Sequence, residues 1–453
     1  MGAGVSPESH GGILRRQGYW PSSPVVGTRG ARTRQRIVAE ALRLFEAQGF
    51  LATSVDSIAK AAGTSRAALY QYFESKEQIF VELIEECGSA LMRVARRIGP
   101  LGPTRSGFDN LHWWLGEWAW VYDKYATVFA QWASIEAPGT AVRPLVAGFV
   151  RSYNARIAAR LESSGVTGLD PADAALALTS TVHRFNYFRH GTATLPPAEE
   201  AVDGLAVVMQ LMLFPDTPAE ALADLAGRAA TTVRGLARRP LVGLDDPGPP
   251  AGGRPEELSP RAAATVHKIM EAGGRLFAER GYHGTSVDDV VAEAGFARTT
   301  FYKYFDEKAD LLGRLADECS QAIVELTRRM ALITVSPDGA AELRRWLADY
   351  LHFYRRYLGV FRAWVEGAAV DPRLVAAAER AYAARAAAVR AVLGRVVRPY
   401  LLDLGVASIV FLAVLDRLPQ AVWDADPGAA DARVIELMAA VVERGLLNDT
   451  ARS

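Results

Sequence analysis

The stretch TSVDSIAKAAGTSRAALYQYFESK, residues 53–76, returns without a gap as TSVDDVVAEAGFARTTFYKYFDEK, residues 285–308. A repeat of this kind sets the architecture before any other signal is read. The same displacement of 232 positions carries LFEAQGF at 44–50 onto LFAERGY at 276–282, and Cys87 onto Cys319. It also carries WLGEWAWVYDKYATVFAQW at 114–132 onto WLADYLHFYRRYLGVFRAW at 346–364. With a three-residue deletion in the second copy, Tyr153 then meets Tyr382. The duplicated unit is therefore a whole protein of about 200 residues, not a short motif.

Inside the first copy, SVDSIAKAAG reads as a short helix with Val55, Ile58, Ala59 and Ala62 on one face and Gly63 as its stop. Thr53 or Ser54 caps its start. Asp56, three residues after Thr53, is placed to close a capping box and to favour the positive end of the helix. A second helix begins at Ser65, with Leu69 and Phe73 on its core side and Arg66, Ala67, Ala68, Tyr70, Gln71 and Tyr72 left for other contacts. Two short helices joined through a glycine turn make a helix-turn-helix.

Such a second helix fits the major groove, where small residues permit close approach and Arg66 meets a phosphate or a guanine edge. Phenol hydroxyls at Tyr70 and Tyr72, and at Tyr302 and Tyr304 in the second copy, donate to phosphate. Lys76 and Lys308, at the start of the next helix, reach the same backbone. The plainer alternative is that the tyrosines pack and the lysines are solvated.

Composition narrows the class without naming it. Lys plus Arg number 51 and Asp plus Glu number 51, so net charge does not by itself point to nucleic acid. Half of the residues are apolar, and 23% are charged, as in an ordinary globular protein. No uninterrupted apolar run approaches the ~20 residues of a bilayer span, and the opening MGAGVSPESHGG lacks a secretion-signal pattern. No membrane partner is expected. Two cysteines at matching positions of separate halves do not make a disulfide framework; they predict a reducing cytoplasm, with both thiols as small core residues.

The predicted fold class is all-α. Apolar residues recur every three and four positions, breaks fall at Gly63, 99–103, Pro138 and Gly165, and no alternating strand run appears. The predicted divisions are a disordered arm (1–28), a first helix-turn-helix domain (29–78), a first helical body (79–238), a linker (239–259), a second helix-turn-helix domain (260–310) and a second helical body (311–450). Fully extended, the linker reaches ~70 Å, enough for the halves to pair with each other.

On the repeated signature, extended in the first copy to TSVDSIAKAAGTSRAALYQYFESKEQIF (53–80), the chain resembles the TetR family of bacterial transcriptional regulators. The resemblance implies, in each half, a three-helix DNA-binding domain followed by an effector-binding and dimerising body. It also implies dimers on palindromic operators, repression, and release of DNA when a small molecule enters the body. By the same resemblance, Thr53, Arg66, Ala68, Tyr70, Tyr72 and Lys76 sit where the family contacts double-stranded operator DNA. The second set is Thr285, Arg298, Thr300, Tyr302, Tyr304 and Lys308.

The copies are unequal. Residues 29–77 hold eight basic residues against five acids, net +3, whereas residues 261–310 hold seven against eight, net −1. Because phosphate contacts supply most nonspecific affinity, the first domain is expected to grip DNA harder. The run Arg29, Arg32, Arg34 and Arg36 is expected to add a minor-groove arm in the first copy alone. At the base-reading positions, Ser65, Ala67, Ala68 and Gln71 become Ala297, Thr299, Thr300 and Lys303, while Arg66, Tyr70, Tyr72 and Lys76 are kept. The expected operator has two unlike half-sites.

Trp114, Trp118, Tyr122, Tyr125, Phe129 and Trp132 fall within ~80° of one helical face. Trp346, Tyr350, Tyr354, Tyr357, Phe361 and Trp364 repeat the stripe, with a helix break near Tyr125 or Tyr357 allowed. Two readings stand: core packing, or an apolar effector pocket whose phenols and indoles orient a small molecule. Glu117, Glu136, Asp349 and Glu366 lie nearby and would favour a cation in the second reading. His183, with Arg184 and Asn186, interrupts an apolar helix over 173–188, either as a ligand contact or in a hydrogen-bonded helix interface. That helix and 199–214 are expected to form a four-helix dimer interface with 406–423 and 429–447.

Three arrangements follow. The first is a single-chain pseudo-dimer that binds DNA through both helix-turn-helix units under control of an apolar effector. The second is a homodimer of tandem chains. The third is an interaction role for the second unit, with only the first binding DNA. No nucleophile elbow, metal-spaced His and Cys set, phosphate loop or paired acids appear, so catalytic residues, metal and cofactor are all expected to be absent.

Overall fold

In a computed structural model of the chain, residues 28–50, 52–130, 142–191, 197–222, 258–333, 339–365, 372–396 and 402–447 are described. The arm before residue 28, residues 223–238 of the first helical body, the linker up to 257, Glu136, Glu366 and Trp132 lie outside the described residues. Arg29 and Trp364 are described by backbone alone. Every regular element among the described residues is helical.

The described residues form two compact units that do not follow the repeat. One holds the residues up to Val94 with Val121–Ser152; the other holds Ala95–Trp120 and everything from Tyr153 onward.

The first unit contains α1 (Thr28–Gln48), α2 (Val55–Ala61), α3 (Arg66–Tyr70) and most of α4 (Lys76–Arg97). Ile37, Ala41 and Phe45 of α1 meet Ile58, Leu69, Phe73 and Phe80 in a core with no exposed side-chain surface. Burial of such residues, ~1.5–3 kcal/mol each, offsets the poor intrinsic stability of helices as short as α2 and α3. Ser54 starts α2 by accepting from the Ser57 N–H at 3.0 Å, and Ser57 Oγ accepts from the Ser54 N–H at 3.1 Å. The capping box thus differs from the one expected at Thr53 and Asp56: with Ser54 as N-cap, the third helical position is Ser57. Gly63, at φ +60°, takes the left-handed turn that ends α2.

The stripe helix α5 (Arg105–Lys124) breaks at Tyr125 before α6 (Ala126–Ala130), and α7 (Arg143–Ser163) follows.

The second unit joins the last helices of the first half to the whole described second half. It holds α8 (Pro171–Gly191), α9 (Ala198–Leu213), α10 (Pro260–Arg280), α11 (Val287–Ala294), α12 (Arg298–Tyr302), α13 (Lys308–Ala331), α14 (Ala340–Val365), α15 (Pro372–Leu393), α16 (Leu404–Ala425) and α17 (Asp431–Ala440), ending in a π-helical turn, Val441–Leu446. Here the stripe helix α14 is unbroken. It crosses α10 at two glycines, where a Cβ on Gly359 would lie 2.2 Å from the Gly274 carbonyl oxygen. The first copy carries Thr127 and Leu42 at these positions, so it lacks that close crossing.

α8 lies along α16, and α9 lies along α16 and the π-helical turn, which is the four-helix association expected of the two halves. α16 is long and apolar enough to cross a bilayer by length and composition, which the search for uninterrupted apolar runs missed because Asp416 and Arg417 divide it. It is a core helix of this unit, with Val406, Val410, Val414 and Leu418 fully buried.

Candidate nucleic-acid interface

The recognition helices α3 and α12 are each a single turn and a half, set by the residues on either side. Ser65 Oγ accepts from the Ala68 N–H at 3.1 Å and caps α3. Ala297, its counterpart, makes no side-chain cap on α12. Ser65 therefore differs between the copies through its cap, a role that its assignment to base reading overlooks. Leu69 and Phe301 anchor the two helices in their cores.

Outward, the two turns present matching frames. Arg66, Ala67 and Gln71 are exposed, with Ala68, Tyr70 and Tyr72 half-buried. Arg298, Thr299, Tyr302 and Lys303 are exposed, with Thr300 and Tyr304 half-buried. Arg66 Nη1 donates to Asp56 Oδ2 at 2.8 Å and its Nη2 to the Tyr70 hydroxyl at 3.4 Å. Arg298 repeats both bonds, to Asp288 at 3.0 Å and to Tyr302 at 3.3 Å. Asp56 thus steers an arginine of the next helix instead of closing a cap. Both arginines are more than half exposed, so each ion pair is screened by water and yields readily to a phosphate.

Other expected contacts are placed inside the fold. The Lys76 ammonium donates to the carbonyls of Phe50 at 2.8 Å and Thr53 at 2.9 Å, and Lys308 donates to those of Tyr282 at 2.6 Å and Thr285 at 2.7 Å. These lysines satisfy carbonyls of the loop before the helix-turn-helix. Thr53 and Thr285 are buried, and their hydroxyls donate to Gly49 O at 2.7 Å and Gly281 O at 2.8 Å. The basic run is not an extended arm: α1 begins at Thr28, so Arg32, Arg34 and Arg36 are helical. Arg32 and Arg36 are exposed, but Arg34 faces inward, ion-paired to Glu82 with its guanidinium 4.6 Å from the centre of the Phe73 ring. In the second copy Val266 replaces Arg34, and Arg314 covers the equivalent ring, Phe305, at 5.0 Å.

Where its side chains are described, the aromatic stripe is buried in both halves, apart from a half-buried Phe361. Trp114, Trp118, Tyr122 and Tyr125 are buried, as are Trp346, Tyr350, Tyr354 and Tyr357. The Tyr125 hydroxyl donates to Glu86 at 2.7 Å, and Tyr357 donates to Glu318 at 2.8 Å. Trp346 Nε1 donates to Leu326 O at 2.8 Å; the Tyr350 and Tyr354 hydroxyls donate to the carbonyls of Leu415 at 3.4 Å and Asp416 at 3.2 Å. Burial holds both phenols protonated, pushing Tyr354 up to about 12 and Tyr350 well above its usual value.

Where α8 meets α16, His183 sits edge-on to Trp118 with ring centroids 6.2 Å apart. Burial, with Arg417 and Arg184 nearby, lowers its imidazole to about 3, so it is neutral at pH 7. Asp416 bridges the halves: Oδ2 accepts from Arg184 at 3.2 Å and Oδ1 from Arg385 at 2.6 Å. Burial alone would raise the Asp416 carboxyl, but Arg385 and Arg184 overcome it and hold it below the usual carboxylate range. The sequence reading missed Asp416 and Arg385. The available signal was an Asp-Arg pair interrupting the apolar run of α16, opposite the His-Arg pair of α8.

The family model of bacterial regulatory proteins of the tetR family matches this chain twice, at residues 37–83 and 269–315. Over 53 residues, 12% of this chain and 25% of the relative, it is 51% identical to the HTH-type transcriptional regulator AcrR of Shigella flexneri. Over 86 residues, 18% of this chain and 45% of the relative, it is 33% identical to the HTH-type transcriptional repressor AcnR of Corynebacterium diphtheriae. The chain thus spans a quarter to under half the length of these curated relatives. The solved TetR family regulator PfmR from Thermus thermophilus is 20% identical with a TM-score of 0.31, covering 40% of this chain and 94% of that one. Matched at both places where its sequence repeats, the chain carries two TetR-like helix-turn-helix domains in tandem.

Proposed function

We propose that the chain is a DNA-binding transcriptional regulator, a repressor, that engages operator DNA through both helix-turn-helix units and reads two unlike half-sites. One observation carries the reading. The arginine-aspartate-tyrosine frame that ties the recognition helix to the helix before it is the same in both copies, at Arg66, Asp56 and Tyr70 and at Arg298, Asp288 and Tyr302. The side chains around it differ: Ala67, Ala68 and Gln71 against Thr299, Thr300 and Lys303. A shared frame positions the helix on phosphate, and different neighbours face the bases. The packing of α8 and α9 on α16 supports a single-chain pseudo-dimer, in which the tether replaces a concentration-dependent encounter. An apolar effector acting through the helical bodies completes the proposal.

A second reading, in which only the first unit binds DNA, draws on the net −1 charge of the second domain. Binding of the full chain to its upstream DNA separates them. Arg66→Ala and Arg298→Ala each weaken binding if both units engage, whereas an unchanged affinity for Arg298→Ala supports the second reading.

A further inference from the structure

We infer that the interface between the two halves is built for unlike partners, so that each half recognises the other and not a copy of itself. The inference rests on the intramolecular pairing proposed above and names the partner its surface fits.

The helices of the interface correspond with a displacement of 233. Asp170 and Asp403 cap α8 and α16, accepting from the N–H groups of Ala172 and Val406, each at 2.9 Å. His183 and Arg184 then match Asp416 and Arg417. α9 and α17 begin at Ala198 and Asp431, and the matched acids Asp203 and Glu436 take matched partners. His112 Nε2 lies 2.7 Å from Asp203, and Arg344 Nε donates to Glu436 at 3.1 Å. Matched positions in the two halves can therefore be compared across the interface.

Of the contacts whose counterparts differ in chemistry, three separate like from unlike pairing. Arg433 grips Asp173, with Nη2 to Oδ1 at 2.6 Å and Nε at 3.1 Å, while its Nη1 holds Asp426 of its own half at 3.0 Å; the residues that match this cross-half pair are Glu200 and Val406. Val406 seats on Gly204, where an added Cβ would lie 2.8 Å from Val406 Cγ1 and 3.1 Å from Leu402 Cδ1. The residue matching Gly204 is Leu437. Val208 seats on Gly445, where a Cβ would lie 2.8 Å from both the Val208 Cγ1 and carbonyl oxygen; the match to Gly445 is Met212.

Pairing the first half with itself would turn Asp173 toward Glu200, an acid where Arg433 now stands. Pairing the second half with itself would bring Leu437 against Val406, where a single Cβ already overlaps, and would strip Arg433 of Asp173. Like pairings thus meet repulsion or overpacking, and the unlike pairing meets neither. The Arg184–Asp416 bond adds less, because Asp416 and Arg417 of two second halves would satisfy each other.

A double-mutant cycle in the full chain tests this with uncharged polar variants. Asp173→Asn and Arg433→Gln are each expected to lower Tm by roughly 2 °C, and the double variant by no more than the larger single effect. Strictly additive losses would show that the two residues do not meet and would overturn the inference at any molecular mass. Light scattering on the same samples reads the pairing within one chain separately. Coupling with a mass near 49.0 kDa supports both claims, while coupling at twice that mass keeps unlike pairing, now between chains, and overturns the single-chain reading.

Discussion

Arg66 and Arg298 hold the same place in two copies of one frame, each tied to an aspartate ten residues earlier and to a tyrosine one turn later. In the proposed complex each meets a phosphate or a base, and replacing either with alanine removes that contact. The expected result is weaker DNA binding with a salt slope shallower by about 1 per arginine, measured by titration at several salt concentrations. Residue identities made this frame legible, because an Arg, two Tyr and a Lys recurred together. Burial was not legible. Thr53, Arg34 and Lys76 are the polar residue types that line DNA interfaces, but each is spent on a carbonyl or a carboxylate of its own domain. His183 gives a second prediction at this scale. Below its ordinary 6.5 the unfolded chain takes up a proton that the folded site refuses until about 3. Stability then falls on acidification through that window, by up to ~1.4 kcal/mol per pH unit, and His183→Gln flattens the slope in chemical denaturation at stepped pH.

Among the elements, helix ends decide more than helix interiors. Ser65→Ala removes the side-chain cap of α3 and is expected to cost about 1 kcal/mol, while Ala297→Ser supplies the missing cap on α12 and is expected to stabilise by a similar amount. Denaturant midpoints of the two variants check the pair; an equal shift of the same sign would contradict it. Apolar spacing made α8, α9, α16 and α17 legible to within a few residues, because each buries a continuous face. A break was allowed at either Tyr125 or Tyr357, but which copy takes it was not legible, since the close crossing at Gly359 and Gly274 depends on contact between helices remote in sequence. The capping box moved by one residue for a similar reason. Ser54 and Thr53 are equal candidates on paper, and the burial of Thr53 decides between them.

At the scale of the molecule, duplication and compactness part company. The sequence repeats at 232 positions, yet the second compact unit takes α8 and α9 from the first half and joins them to the second. A repeat reveals copies; it does not reveal which copy a surface prefers. That preference lies in one-sided contacts such as Arg433 with Asp173 and Val406 with Gly204, visible only once the helices are registered against each other. If unlike halves pair, every DNA-bound molecule presents one α3 and one α12, and the operator inherits their difference. Selection of bound sequences from a random DNA pool by the full chain measures this directly. Two reproducibly different half-sites in fixed order are the expected outcome, and a symmetric palindrome would contradict the account.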